Sequence, residues 1–170
     1  MQRAKPFLKG YDSIYGSEMV IRIRAAAPED AATIHGFIKA LALYEKEPHA
    51  VEVTVETLQS QMSAAAPPFE CLLAEDEELG TIGFALFFMS YSTWRGQPGI
   101  YLEDLYVSPD ARGRGAARAL IKRLRAVGKE RGCRRLEWSV LDWNELAIGF
   151  YEHLGAKPMS GWTTWRLPID

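Results

Sequence analysis

Residues 111–120 read ARGRGAARAL and follow an apolar, aromatic stretch. Small residues at Gly113, Gly115, Ala116 and Ala117 let successive backbone N–H groups converge on one point, and the start of the following helix adds partial positive charge there. Arg112, Arg114 and Arg118 surround the same point with charge-assisted donors. The chemistry such a loop offers is the holding of an anion, a phosphate first of all. Its spacing is Arg-x-x-Gly-x-Ala, through Arg112, Gly115 and Ala117. A dinucleotide fingerprint needs a small residue where Arg118 stands, and a P-loop needs Gly-Lys-Ser/Thr. A tight strand-to-helix turn ahead of a solvated basic helix also accounts for the loop on these residues alone.

Other chemistries find little support. His35, His49 and His153 have no metal-ligand spacing, so no metal is expected. Cys71 and Cys133 are the only cysteines, too few for a disulfide framework, and both read as reduced, structural thiols. The formal net charge of -2 argues against a dedicated nucleic-acid binder, which is usually basic. The basic run Arg112, Arg114, Arg118, Lys122, Arg123 and Arg125 lacks the interleaved aromatics of a stacking platform. No apolar run approaches the roughly 20 residues of a membrane span, and residues 1–18 lack a signal-peptide core. A cytoplasmic protein is expected. Residues 1–18 read as a native extension, a misassigned start or a cloning remnant, ahead of one domain over 19–170.

The elements that must position the loop follow from periodicity. VIRIRAA alternates as a strand, led by Val20 and Ile21. Pro28, Glu29 and Asp30 suit a first helical turn, and Ile34, Phe37, Ile38, Leu41 and Ala42 recur at helical spacing. Thr54 is a candidate N-cap for a short helix over TVETLQSQM. FECLLAED and LGTIGFALFFMSY read as antiparallel strands around an acidic turn at Asp76, Glu77 and Glu78. STWRGQPG is a loop and IYLEDLYV a strand. AARALIKRLRAVGKERG is a helix with Ala117, Leu120, Ile121, Leu124 and Val127 inward and Arg118, Lys122, Arg125 and Lys129 outward. RRLEWSVL is a strand, WNELAIGFYEHLG a helix ending at Gly155, and GWTTWRLPI a last strand. The order β-α-α-β-β-β-α-β-α-β predicts an α/β (α+β) domain with a continuous mixed sheet and helices on both faces.

YLEDLYVSPDARGRGAARALI resembles the acetyl-CoA-binding core of the GCN5-related N-acetyltransferases. Together with YSTWRG, VLDWN and FYEHLGA it is similar to their diamine acetyltransferase branch, over about Val20 to Trp165. The resemblance implies a mostly antiparallel sheet and acetyl-CoA as cosubstrate. It places the backbone of Arg112, Gly113, Arg114, Gly115, Ala116 and Ala117 on the CoA pyrophosphate. Main-chain groups of Leu105 and Val107, and the Asn144 side chain, would hold the pantetheine arm. Tyr151 would sit by the thioester sulfur, and Glu103 and Asp104 would face the amine. A homodimer is implied, with GWTTWRLPI as a candidate surface.

Acetyl transfer to an amine needs a neutral nucleophile. An ammonium of pKa roughly 10.4 is neutral in about one molecule in a few thousand at pH 7. Glu103 is the candidate base, directly or through a water. Asp104 would point to the opposite side of a regular strand; a bulge, if the strand had one, would bring both carboxylates toward the amine. A main-chain N–H near Tyr106 or Val107 would meet the developing oxyanion, and Tyr151 would protonate the leaving thiolate. Trp94 is a candidate aromatic wall for the amine. Each has a plainer reading: a strand end for Glu103 and Asp104, helix packing with Phe150 for Tyr151, a helix cap for Asn144, a loop aromatic for Trp94. Trp138, Trp143, Trp162 and Trp165 read as core or interface. Ser92 stands where spermidine/spermine enzymes carry an acidic residue, so the chain looks closer to the thialysine type. The expected acceptor is a small primary amine: thialysine, a lysine analogue or a diamine, with polyamines next. The alternatives are an aminoglycoside or protein N-terminus acceptor, or a CoA-binding sensor without turnover.

Overall fold

The computed structural model describes residues 21–169. The extension over residues 1–18 and the strand lead-in at Val20 lie outside the described residues. The chain forms two units, one ending at Glu137 and one beginning at Trp138.

The first unit is built on a five-stranded sheet, β1 (Arg22–Ala25), β2 (Glu70–Asp76), β3 (Gly80–Ser92), β4 (Gln97–Val107) and β5 (Leu136–Glu137), ordered as in the sequence. β1 to β4 are antiparallel neighbours, and β5 runs parallel to β4. The connections explain this. Short turns join β2 to β3 and β3 to β4, whereas β4 reaches β5 through a helix, as a parallel return requires. After a single 3-10 turn at Pro28–Asp30 come α1 (Ala31–Tyr44) and α2 (Val55–Met62); α3 (Ala116–Glu130) follows β4. Thr54 caps α2, its hydroxyl accepting from the Thr57 N–H at 3.2 Å.

Alternation along the strands divides the core between two faces. Ile34 of α1 and Leu58 of α2 pack with Cys71, Leu73, Phe84, Leu86 and Tyr106. Leu72 and Phe87 point the other way and line one cavity with Val127 of α3. α3 buries Ala116, Leu120, Ile121, Leu124, Val127 and Gly128, so its inward stripe begins at Ala116 and not at Ala117. Gly128 lets α3 lie close on the sheet: a Cβ there would stand 3.3 Å from Ile100 Cδ1.

The second unit carries α4 (Glu145–His153). Asn144 caps it, accepting from the Ala147 N–H, and Gly155 ends it at φ +81°. Two expected strands need correction. The strand over residues 134–141 contracts to Leu136–Glu137, and none forms over residues 161–169. Apolar, β-prone residues become a strand only where a neighbouring edge takes up their N–H and C=O groups, and no described strand pairs with that tail. Trp162, Trp165, Leu167 and Ile169 are exposed.

Candidate active site

β4 carries a bulge where the sequence places its two adjacent carboxylates. Leu102 lies opposite Phe87 and Asp104 opposite Leu86, so Glu103 has no cross-strand partner. The extra residue reverses the alternation. Asp104 therefore falls on the face of Leu86 and Tyr106, which α1 covers, and Glu103 projects beside it, exposed. On a regular strand the two would point apart.

A third carboxylate joins them. Glu45 follows the last turn of α1, and its burial pushes its carboxyl above the ordinary value. Burial, then the charges of Glu103 and Glu45, push Asp104 up to about 6. Among the described residues none of the three forms an ion pair. Three carboxylates this close repel one another and favour a cation between them. The sequence reading missed Glu45. Its signal was faint: an acidic residue just past a helix whose apolar stripe packs on the carboxylate face.

The glycine loop has the shape the sequence suggested, with its arginines used differently. Gly113 and Gly115 adopt φ +79° and +87°, and nothing lies within 4 Å of where either would carry a Cβ. Gly115 is the N-cap of α3 and has no side chain to offer, which leaves first-turn N–H groups facing outward. Arg112 stays exposed yet is engaged. Its Nε donates to the Val107 carbonyl at 3.3 Å, and its guanidinium stands 5.2 Å from the Tyr44 ring centroid. Arg114 pairs with Asp76 at 3.2 Å. Arg112 and Arg118 are both exposed and carry no ion pair among the described residues, but Arg112 is engaged by the Val107 carbonyl and the Tyr44 ring. The main chain, with Arg118, is what the loop offers an anion.

The Ser108 N–H bonds to Ile82 of β3. Main-chain groups alternate in direction along a strand, so those of Tyr106 also face β3 while those of Leu105 and Val107 face away. β5 pairs only with Ile100 and Tyr101. Leu105 and Val107 thus form an edge that no described strand covers. Of the two N–H groups considered for an oxyanion, that of Val107 points to this edge.

Trp94 lies in the four-residue turn between Ser92 and Gln97 and is exposed. Six residue steps of strand run from Gln97 to Glu103, about 20 Å along the strand at the usual rise. Ser92 is buried, and its hydroxyl accepts the Arg95 N–H at 3.3 Å, closing that turn.

Within the second unit, Tyr151 packs on Trp138 (centroids 4.6 Å apart) and Phe150, and Asn144 is buried. Cys71 is a free, buried thiol that burial pushes up to about 12, which keeps it protonated. Among the described residues no helix is long and apolar enough to cross a membrane.

The sequence model of the acetyltransferase (GNAT) family matches residues 34–156. Thialysine N-epsilon-acetyltransferase of Mus musculus is 37% identical over 155 residues, covering 85% of this chain and 91% of its own. The Bos taurus enzyme of the same name is 38% identical over 156 residues, covering 86% and 91%. The crystal structure of an aminoglycoside acetyltransferase from an uncultured soil metagenomic sample superposes with a TM-score of 0.73 at 16% identity, covering 88% of this chain and 97% of that one; this likeness is one of fold. A sheet with a bulged, acidic fourth strand, a glycine loop opening the next helix, and matches over most of its length together make the chain a member of the GNAT acetyltransferase family.

Proposed function

We propose that the protein transfers the acetyl group of acetyl-CoA to a small primary amine of the thialysine or lysine-analogue kind. The observation that carries this is the pair Glu103 and Asp104, turned to one side by the bulge beside Glu45. Three clustered carboxylates without an ion pair among the described residues suit an ammonium. The similarity to thialysine N-epsilon-acetyltransferases narrows the class.

The residues present fit acetyl-CoA. The open glycine loop and the first turn of α3 would hold its pyrophosphate, with Arg118 at the rim. The uncovered edge at Leu105 and Val107 would hold the pantetheine arm. Acetyl-CoA supplies the acetyl group as an activated thioester. Asp104 and Glu45 hold the incoming ammonium, and Glu103 takes its proton, directly or through water. The Val107 N–H stabilises negative charge developing beside the edge. By the family resemblance, Asn144 would orient the pantetheine arm and the Tyr151 phenol would supply the proton for the departing thiolate. A thioether close to the amine lowers its basicity and lessens the cost of deprotonation.

We read the protein as a cytoplasmic homodimer whose exposed tail, Trp162 to Ile169, is covered by a second copy, and whose Trp94 serves the partner's amine site. Light scattering of the wild type and of Trp165→Ser tests this: a dimer that weakens in the variant is expected, and a monomeric wild type overturns it.

Thiol release from acetyl-CoA across thialysine, lysine, putrescine, spermidine, spermine and an aminoglycoside tests the reaction. The highest kcat/KM is expected with thialysine. Strong preference for spermine or the aminoglycoside overturns the substrate, and CoA binding without turnover of any amine overturns the enzymatic reading in favour of a sensor.

A further inference from the structure

The acidic turn between β2 and β3 has no part in amine chemistry, yet one of its residues is buried and fully engaged. The Asp76 side chain is 4% exposed. Its Oδ1 accepts the N–H groups of Glu78 at 3.0 Å and Leu79 at 3.1 Å, and its Oδ2 accepts from Arg114 at 3.2 Å. Arg114 stands between Gly113 and Gly115, both in the left-handed region. Glycines there let the loop reach its shape but do not hold it, because glycine moves freely between backbone basins. The Arg114 side chain is the arm by which the folded sheet grips the segment between them.

We propose that Asp76 is a positioning residue for the phosphate loop, fixing the main chain of Gly113 to Gly115 through Arg114, so that Arg114 serves as a strut and not as a phosphate ligand. This rests on the reading that the loop holds the CoA pyrophosphate. Asp76 is spent on two backbone donors and one guanidinium, and Arg114 approaches a second carboxylate, Glu78, at 4.0 Å. Its charge is thereby largely committed before any anion arrives. A preformed loop binds more tightly because ordering it no longer opposes binding.

The two roles predict opposite signs. Asp76→Asn keeps an oxygen for the turn and removes the negative charge that grips Arg114. If Arg114 is a strut, the Kd for CoA and the KM for acetyl-CoA rise about tenfold, while kcat stays within about twofold. Arg114→Met does the same, and the double variant is no worse than either single one, as two residues acting as one unit require. If Arg114 is a direct ligand, Asp76→Asn frees it and CoA binds as well or better, which overturns the proposal. A fall in Tm with Kd unchanged also overturns it. Gly115→Val serves as the control for the loop itself. CoA binding weakened in Gly115→Val but not in Asp76→Asn sinks the strut alone. Binding unaffected by Gly115→Val sinks both the strut and the pyrophosphate reading.

Discussion

Asp104 lies opposite Leu86 and Leu102 opposite Phe87, so Glu103 is left over between them. That one-residue surplus places two adjacent carboxylates on the same side of β4, one exposed and one half-buried against the α1 face.

The cost of that placement is measurable. Asp104 ordinarily titrates near 3.8 and is raised to about 6 in the folded protein. Between those values the folded state binds more protons than the unfolded one, so this group's contribution to stability falls as pH rises from about 4 to 6. Above pH 6 the penalty is complete, at most about 3 kcal/mol at 1.36 kcal/mol per unit. Asp104→Asn should raise Tm by several degrees at pH 7.5 and leave it unchanged at pH 3.5. Calorimetry at the two pH values checks this, and a lower Tm at pH 7.5 contradicts it.

The same titration should govern substrate binding. An ammonium is held only by ionised carboxylates, and the amine stays cationic throughout this range. The KM for the amine should fall as pH rises from 5 to 7 and then level off. In Asp104→Asn that limb should disappear and KM should stay high, with kcat less affected. An unchanged pH profile in the variant removes Asp104 from the amine site.

Glu103→Gln separates binding from proton transfer. Loss of a general base lowers kcat by about 10²–10⁴, with a smaller change in the KM of the amine, since Asp104 and Glu45 remain. The deficit should shrink as pH rises and more of the amine is neutral. A kcat within threefold of wild type would assign the proton to another group.

Gly83 tests how closely β3 and β4 depend on one another. A Cβ there would stand 2.5 Å from the Tyr106 carbonyl oxygen, which is backbone and cannot swing aside. Gly83→Ala should therefore cost about 1–3 kcal/mol, as overpacking does. It should also disturb the strand that carries Glu103 and Asp104. Chemical denaturation gives the first effect and amine turnover the second.

Much of this protein could be read from residue order alone. The stripe Ile34, Phe37, Ile38 and Leu41, the Thr54 and Asn144 caps, the turn at Asp76 and the loop at Gly113 and Gly115 are local features. Each follows from helical spacing, backbone freedom or a side chain reaching its own main chain. Tertiary structure decided the rest. The bulge at Glu103 exists only in the register of β4 against β3, and Glu45 joins Asp104 only because α1 ends over that face. Arg112 and Arg114 look like phosphate ligands in the sequence, but Tyr44 and the Val107 carbonyl engage Arg112, and Asp76 draws Arg114 to the sheet. GWTTWRLPI has the composition of a strand, yet composition supplies no neighbouring edge. Pairing, burial and charge proximity are properties of residues far apart in the chain, and only the fold brings them together.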